Sequence, residues 1–172
     1  MPAIMHNGRL DILSANMLGY ALFSPIYVQS ARPPNHARFV FLDPRASTFY
    51  PDWELVVDST VDLLRTEAGR NPFDRNLSDL VGELSTRSET FRKRWAAHNV
   101  RLYRTGRKRY HHPVVGELSL SFNRLDVAAD PGLTLFTYAA EPGSRSEEAL
   151  NLLGSWAATV DLPASARTND QA

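Results

Sequence analysis

Apolar positions change their spacing several times along this chain, and each change marks a new element. Residues 9 to 14 alternate weakly and predict a short strand ending near Asn16, with a short helix over Met17 to Phe23. Pro25 and Arg32-Pro33-Pro34 mark a loop. Phe39 to Leu42 is apolar, and Pro44 suits the first position of a further helical turn. From Asp52, which has the chemistry of an N-cap, the period becomes helical. Trp53, Val56, Val57, Val61, Leu64 and Ala68 fall on one face, and Gly69 offers a left-handed stop before Pro72. A second amphipathic helix groups Leu77, Leu80, Val81 and Leu84. A third starts near Ser88 and aligns Phe91, Trp95 and His98.

After His98 the period shortens. Val100 to Tyr110, with Gly106 inside it, reads as strand or hairpin. Leu118, Leu120 and Phe122 alternate with polar residues, the signature of a half-buried antiparallel strand. Asp130-Pro131-Gly132 is a turn, and Leu133 to Ala140 a further strand. Ser144 and Glu147 have capping-box spacing before a last helix carrying Leu150, Leu153, Trp156 and Ala157. Strands and helices are segregated, which predicts an α+β fold with an antiparallel sheet, a helical block on one face and a C-terminal helix. Residues 1–162 form one domain on this reading, and 163–172 a polar, disordered tail. The seam between helices and sheet is where such a fold holds an apolar ligand.

Composition narrows the chemistry. The chain has 172 residues and no cysteine, which excludes disulfides, zinc–thiolate sites and cysteine nucleophiles. It shows neither an apolar run of membrane-span length nor a secretory signal pattern, so the expected location is the cytoplasm, away from membranes. Net charge is zero, but it is unevenly spread: nine acidic residues against four arginines from Asp43 to Glu83, then nine cationic residues against Glu89 alone from Arg87 to Arg109. That basic stretch is either a solvated surface or one that meets acidic partners. It lacks the groove-reading helix or stacking platform of a dedicated nucleic-acid binder.

No catalytic motif emerges. There is no Gly-x-Ser-x-Gly elbow and no glycine-rich phosphate loop. Glu147-Glu148 and the Asp58/Asp62 pair read as a helix start and a polar helix face. His111 and His112 would face opposite sides of a strand, so only one can point inward and no metal site is expected. His6 and His36 fall in loops without companions. His98 shares a face with Phe91 and Trp95; it is a structural core histidine, a ligand contact at the end of an apolar pocket, or an acid–base group.

Several short words, in order, carry a resemblance. They are Arg9-Leu10-Asp11-Ile12-Leu13-Ser14-Ala15-Asn16, Phe41-Leu42-Asp43-Pro44, Tyr50-Pro51-Asp52-Trp53 and Val81-Gly82-Glu83-Leu84-Ser85. Phe91, Trp95, His98 and Val100 follow, then His112-Pro113-Val114-Val115-Gly116-Glu117-Leu118 and Thr137-Tyr138-Ala139-Ala140-Glu141-Pro142-Gly143-Ser144. Together they resemble the ligand-binding domain of MmyB-like transcription regulators over about residues 8 to 157. The resemblance implies a PAS-like fold, a long-chain fatty acid of the myristate kind as ligand, and an XRE-type helix-turn-helix as the family's other half. No such helix-turn-helix occurs in this sequence, so DNA contact is expected only through a domain outside it. Asn99 departs from the acidic residue common after the histidine, and Arg32-Pro33-Pro34-Asn35 is an insertion.

The expected function is therefore a sensor domain with no catalytic residue, metal or cofactor and with a fatty acid as its ligand. Phe41, Trp53, Val57, Leu84, Phe91, Trp95 and Phe122 are the expected apolar walls, and Asn16, Arg94 and His98 the expected partners of the carboxylate. The alternatives are an interaction module with a closed core, its sheet serving dimerisation, and an enzyme built around His98. A closed core would favour the first, and a carboxylate bonded to His98 in an open cavity the second.

Overall fold

The computed structural model describes residues 1–28, 33–97 and 105–159. Strands β1 (Ala3–His6), β2 (Ile12–Ala15), β3 (Thr105–His112), β4 (Gly116–Asp126) and β5 (Thr134–Ala139) form one sheet in the order β2-β1-β5-β4-β3. Every neighbouring pair is antiparallel. Between β2 and β3 run α1 (Met17–Leu22), α2 (Ser24–Tyr27), α3 (His36–Leu42), α4 (Ala46–Phe49), α5 (Trp53–Arg70), α6 (Arg75–Arg87) and α7 (Glu89–Ala96). The helix α8 (Arg145–Thr159) follows β5 and packs against α1 and β4. This is the α+β arrangement of an antiparallel sheet, a helical layer and a C-terminal helix.

Four local readings change. Strand β1 is an addition: four residues carry little periodicity, and the strand exists because it pairs with β5 far along the chain, Ala3 opposite Thr137. Phe39 to Leu42 belongs to helix α3, started by Asn35, whose side-chain oxygen accepts from the Arg38 N–H at 2.9 Å. Asp52 stands at the start of α5 but makes no side-chain cap; its carboxylate accepts instead from Arg109 Nε at 2.8 Å. Nor does Gly69 stop α5, which continues to Arg70; the glycines with positive φ are Gly116, Gly132 and Gly143. The closing helix starts as expected, with Ser144 Oγ accepting from the Glu147 N–H.

Asn16 locks the amino-terminal elements together. Its Oδ1 accepts from Gly19 N at 2.7 Å, capping α1, and from Ala3 N at 3.0 Å, tying down β1; its Nδ2 donates to Met1 O. The approach is close enough that only glycine fits at position 19: a Cβ there would lie 2.2 Å from the Ala3 carbonyl oxygen. Backbone cannot swing away as a side chain can. Gly19→Ala is therefore expected to cost about 1–3 kcal/mol through forced backbone displacement. Urea unfolding of the variant, read against wild type, measures it.

Two apolar clusters hold the domain. The larger joins the inner face of the sheet to α1–α4, the start of α5 and α8, and includes Phe23, Phe39, Phe49, Tyr50, Tyr110, Leu120 and Tyr138. The smaller lies within the helical layer and joins Leu64 of α5, Leu77, Leu80 and Leu84 of α6, and Phe91 of α7.

Candidate functional site

Strand alternation decides what the sheet presents to the helices. On β3 the residues Gly106, Lys108, Tyr110 and His112 share one face; their β4 partners are Phe122, Leu120, Leu118 and Gly116. Phe136 of β5 sits opposite Arg124, and Tyr138 opposite Phe122. At one end of this face Tyr110 and Tyr138 meet edge to face, and Phe23, Phe49 and Tyr50 fill the remaining space. At the other end Gly106 has no side chain and the layers separate. A cavity of about 570 Å³ opens there between α5 and the strands β3, β4 and β5. That is within the usual range for small-molecule sites, roughly 300–1,000 Å³.

Its walls are of two kinds. Leu55, Val56, Val61 and Leu63 of α5 face Phe122 and Phe136 of the sheet. Around them stand Arg65, Arg94, Arg107, Lys108, Arg109 and Arg124, against the carboxylates of Asp52, Asp58 and Asp62. Positive charge is in excess, so the site favours an anion.

Most of these cations are already engaged. Arg109 makes a two-point pair with Asp52. Arg94 donates to Asp58 at 2.8 Å and also to Glu54, bridging α7 to α5. Arg107 meets Glu141 at 3.2 Å, and Arg124 meets Asp126 at 3.0 Å. Arg65 donates to the carbonyls of Arg94, Trp95 and Ala97 at the end of α7, where the helix runs out of its own donors, and lies near Asp62. Lys108 differs: its Nζ sits 4.7 Å from the centroid of the Phe122 ring. Such a cation–π contact is worth roughly 0.5–2 kcal/mol, depending on solvent access. Lys108 keeps part of its surface open, yet the atoms packed around it bring its pKa down to about 8 by desolvation.

Of the expected site residues, the structure brings Phe122 and Arg94 to this cavity. Val57 is fully enclosed in the larger core. Trp53 packs at the edge of that core, its indole N–H donating to Val40 O at 3.1 Å. Phe41, Leu84, Phe91 and Trp95 lie in the helical cluster, where Phe91 stacks on Trp95 and meets Phe41 edge to face. Asn16 is the cap described above. His98 lies outside the described residues, as do Asn99, Arg101, Tyr103, Arg104 and the tail from residue 163.

Lys108 is the residue that sequence reasoning passed over. Along the chain it belongs to the same basic stretch as Arg107 and Arg109. The available signal was the two-residue period through Gly106, Lys108 and Tyr110, which turns the lysine inward with the tyrosine.

The histidines are also redistributed. His112 points inward and His111 outward. His112 Nε2 donates to Ala21 O at 3.0 Å and its Nδ1 accepts from Val114 N, which fixes a neutral tautomer. His6 and His36 are not isolated loop residues: both are buried, and their rings stack with centroids 5.8 Å apart. His36 Nε2 is 2.8 Å from the Tyr50 hydroxyl, whereas neither ring nitrogen of His6 meets a partner among the described residues. Burial lowers the pKa of His6 to about 3, helped by nearby Lys108 and opposed by Asp11, and burial also holds His36 well below its ordinary value. Among the described residues no cluster of His, Asp and Glu has the arrangement of a metal site, and no helix is long and apolar enough to cross a membrane.

No curated protein matches the chain closely. The family model for the MmyB-like transcription regulator ligand binding domain, by contrast, matches residues 1–153. A sheet covered by helices, with a ligand-sized cavity between them, agrees with that description, and the chain belongs to the MmyB-like transcription regulator ligand-binding domain family.

Proposed function

We propose that this domain senses a long-chain fatty acid in the cavity between α5 and the sheet. It relays occupancy to an XRE-type helix-turn-helix domain joined to it in a cytoplasmic regulator. The observation that carries this reading is the cavity itself: apolar side chains on two opposed walls and an excess of cations around them. The apolar walls suit an alkyl chain, each buried methylene contributing about 0.8 kcal/mol. The cations suit its acid, since an unpaired carboxylate is very costly to bury. Cavity walls on both α5 and the sheet supply a route for signalling. A ligand that fits one separation of these layers better than another shifts the population toward it. Because Arg94 pairs and the Arg65 cap tie α7 to α5, those two helices would move together.

Extraction of freshly purified protein into organic solvent, followed by mass spectrometry, is expected to recover near-stoichiometric fatty acid. Delipidated protein should rebind acids from dodecanoate to octadecanoate in a titration. Lipid-free protein that binds none of these would sink the proposal.

A further inference from the structure

We infer that Lys108 receives the acid group of the bound amphiphile, with the alkyl chain running from β3 across Phe122 toward Phe136. The inference rests on the functional reading above and assigns its polar anchor. Three observations lead to it.

The first is position. Lys108 lies on the helix-facing side of edge strand β3 and lines the cavity. Phe136 on β5 pairs with Arg124, four residues along β4 from the Lys108 partner Leu120, so the path from Lys108 crosses two strand spacings and runs four residues along the sheet, roughly 16 Å, with Phe122 between them. The second is pairing. Arg94, Arg107, Arg109 and Arg124 each hold a carboxylate of this chain, and Arg65 holds the end of α7. Among the described residues the Lys108 side chain has neither a hydrogen bond nor an ion pair, only the Phe122 ring. A ligand at Arg94 would have to displace Glu54 and Asp58, whereas one at Lys108 displaces no protein carboxylate. The third is surroundings. His6 and His36 feel the lysine's charge and stay neutral on burial, so they add no second positive charge beside it. A half-buried ammonium without an anion is an unfavourable arrangement that an incoming carboxylate relieves. The lowered pKa of Lys108 is in keeping with this.

The test compares tetradecanoate with tetradecanol, which share a chain and differ in the charged head. Wild type should prefer the acid by about tenfold or more, the usual consequence of a hydrogen bond to a charged group. Lys108→Met should abolish that preference while keeping alcohol affinity within about threefold, because the methionine preserves the apolar floor. Lys108→Arg should retain the preference, and Arg94→Ala should leave it intact. Thermal melts of each lipid-free variant identify any that fail to fold, and Lys108→Gln then replaces Lys108→Met. An acid preference that survives in both uncharged variants, or that disappears in Arg94→Ala instead, overturns the assignment alone. Failure of wild type to bind either probe overturns it together with the fatty-acid reading.

Discussion

Phe91→Ala is expected to destabilise the domain by about 3–5 kcal/mol while leaving ligand affinity of the folded protein within about threefold. The ring is fully enclosed, stacked on Trp95 with centroids 5.4 Å apart and edge-on to Phe41 at 4.9 Å. It is the one wholly buried side chain that α7 contributes among the described residues. Truncation removes the transfer energy of the ring and leaves a cavity that helices α5 and α6 cannot fully close. The ligand-sized cavity is elsewhere, and Phe91 is not in its wall. Urea titrations with and without tetradecanoate separate the two effects. A stability loss below about 1 kcal/mol, accompanied by a tenfold loss of affinity, would show Phe91 to be a ligand contact after all.

Acid should destabilise the domain well above the carboxylate range. His6 and His36 have pKa values held below 6.5 by burial, His6 at about 3. In the unfolded chain both bind protons as pH falls through 6.5; in the fold they do not. Their contribution is therefore intact above that pH and is lost below it, at about 1.4 kcal/mol per pH unit for each histidine. His112, lowered by the same cause and partly offset by its bond to Ala21, adds in the same direction. The depressed carboxylates, Asp43, Asp52, Asp74 and Glu89, start from ordinary values of 3.8 or 4.5 and act only below them. Between about pH 6.5 and 5, His6 alone should remove roughly 1.7 kcal/mol, and His36 adds in the same direction. His6→Phe, which keeps a ring against Phe136, should remove the His6 share of that slope and leave the His36 share. Urea midpoints across this pH range provide the measurement. A flat profile would mean that the imidazoles are protonated or solvated in the fold.

The residues Leu118, Leu120 and Phe122, and the helix through Val56, Val57, Val61 and Leu64, could be assigned from spacing alone. A side chain's burial in a long, regular element follows from its period, and the period is local information. So the helices α5 to α7, the strands β3 to β5, the α+β class and the inward turn of one histidine in the His111-His112 pair were determined by the sequence. The short words from Arg9 to Ser144 determined the family. Strand β1 was not legible, because four residues become a strand only when β5 is there to pair with them. Burial also has no address in a sequence. Phe91, Trp95, Leu84 and Phe122 are all apolar and inward, but two cores and a cavity compete for them. Only the packing of α5 over the sheet assigns the first three to a closed cluster and Phe122 to the open seam. Charge behaves likewise: Arg94 and Lys108 look interchangeable along the chain. Ion pairing depends on which carboxylates the fold brings within a few ångströms, so only the tertiary structure engages the arginine with Glu54 and Asp58 and leaves the lysine facing the cavity.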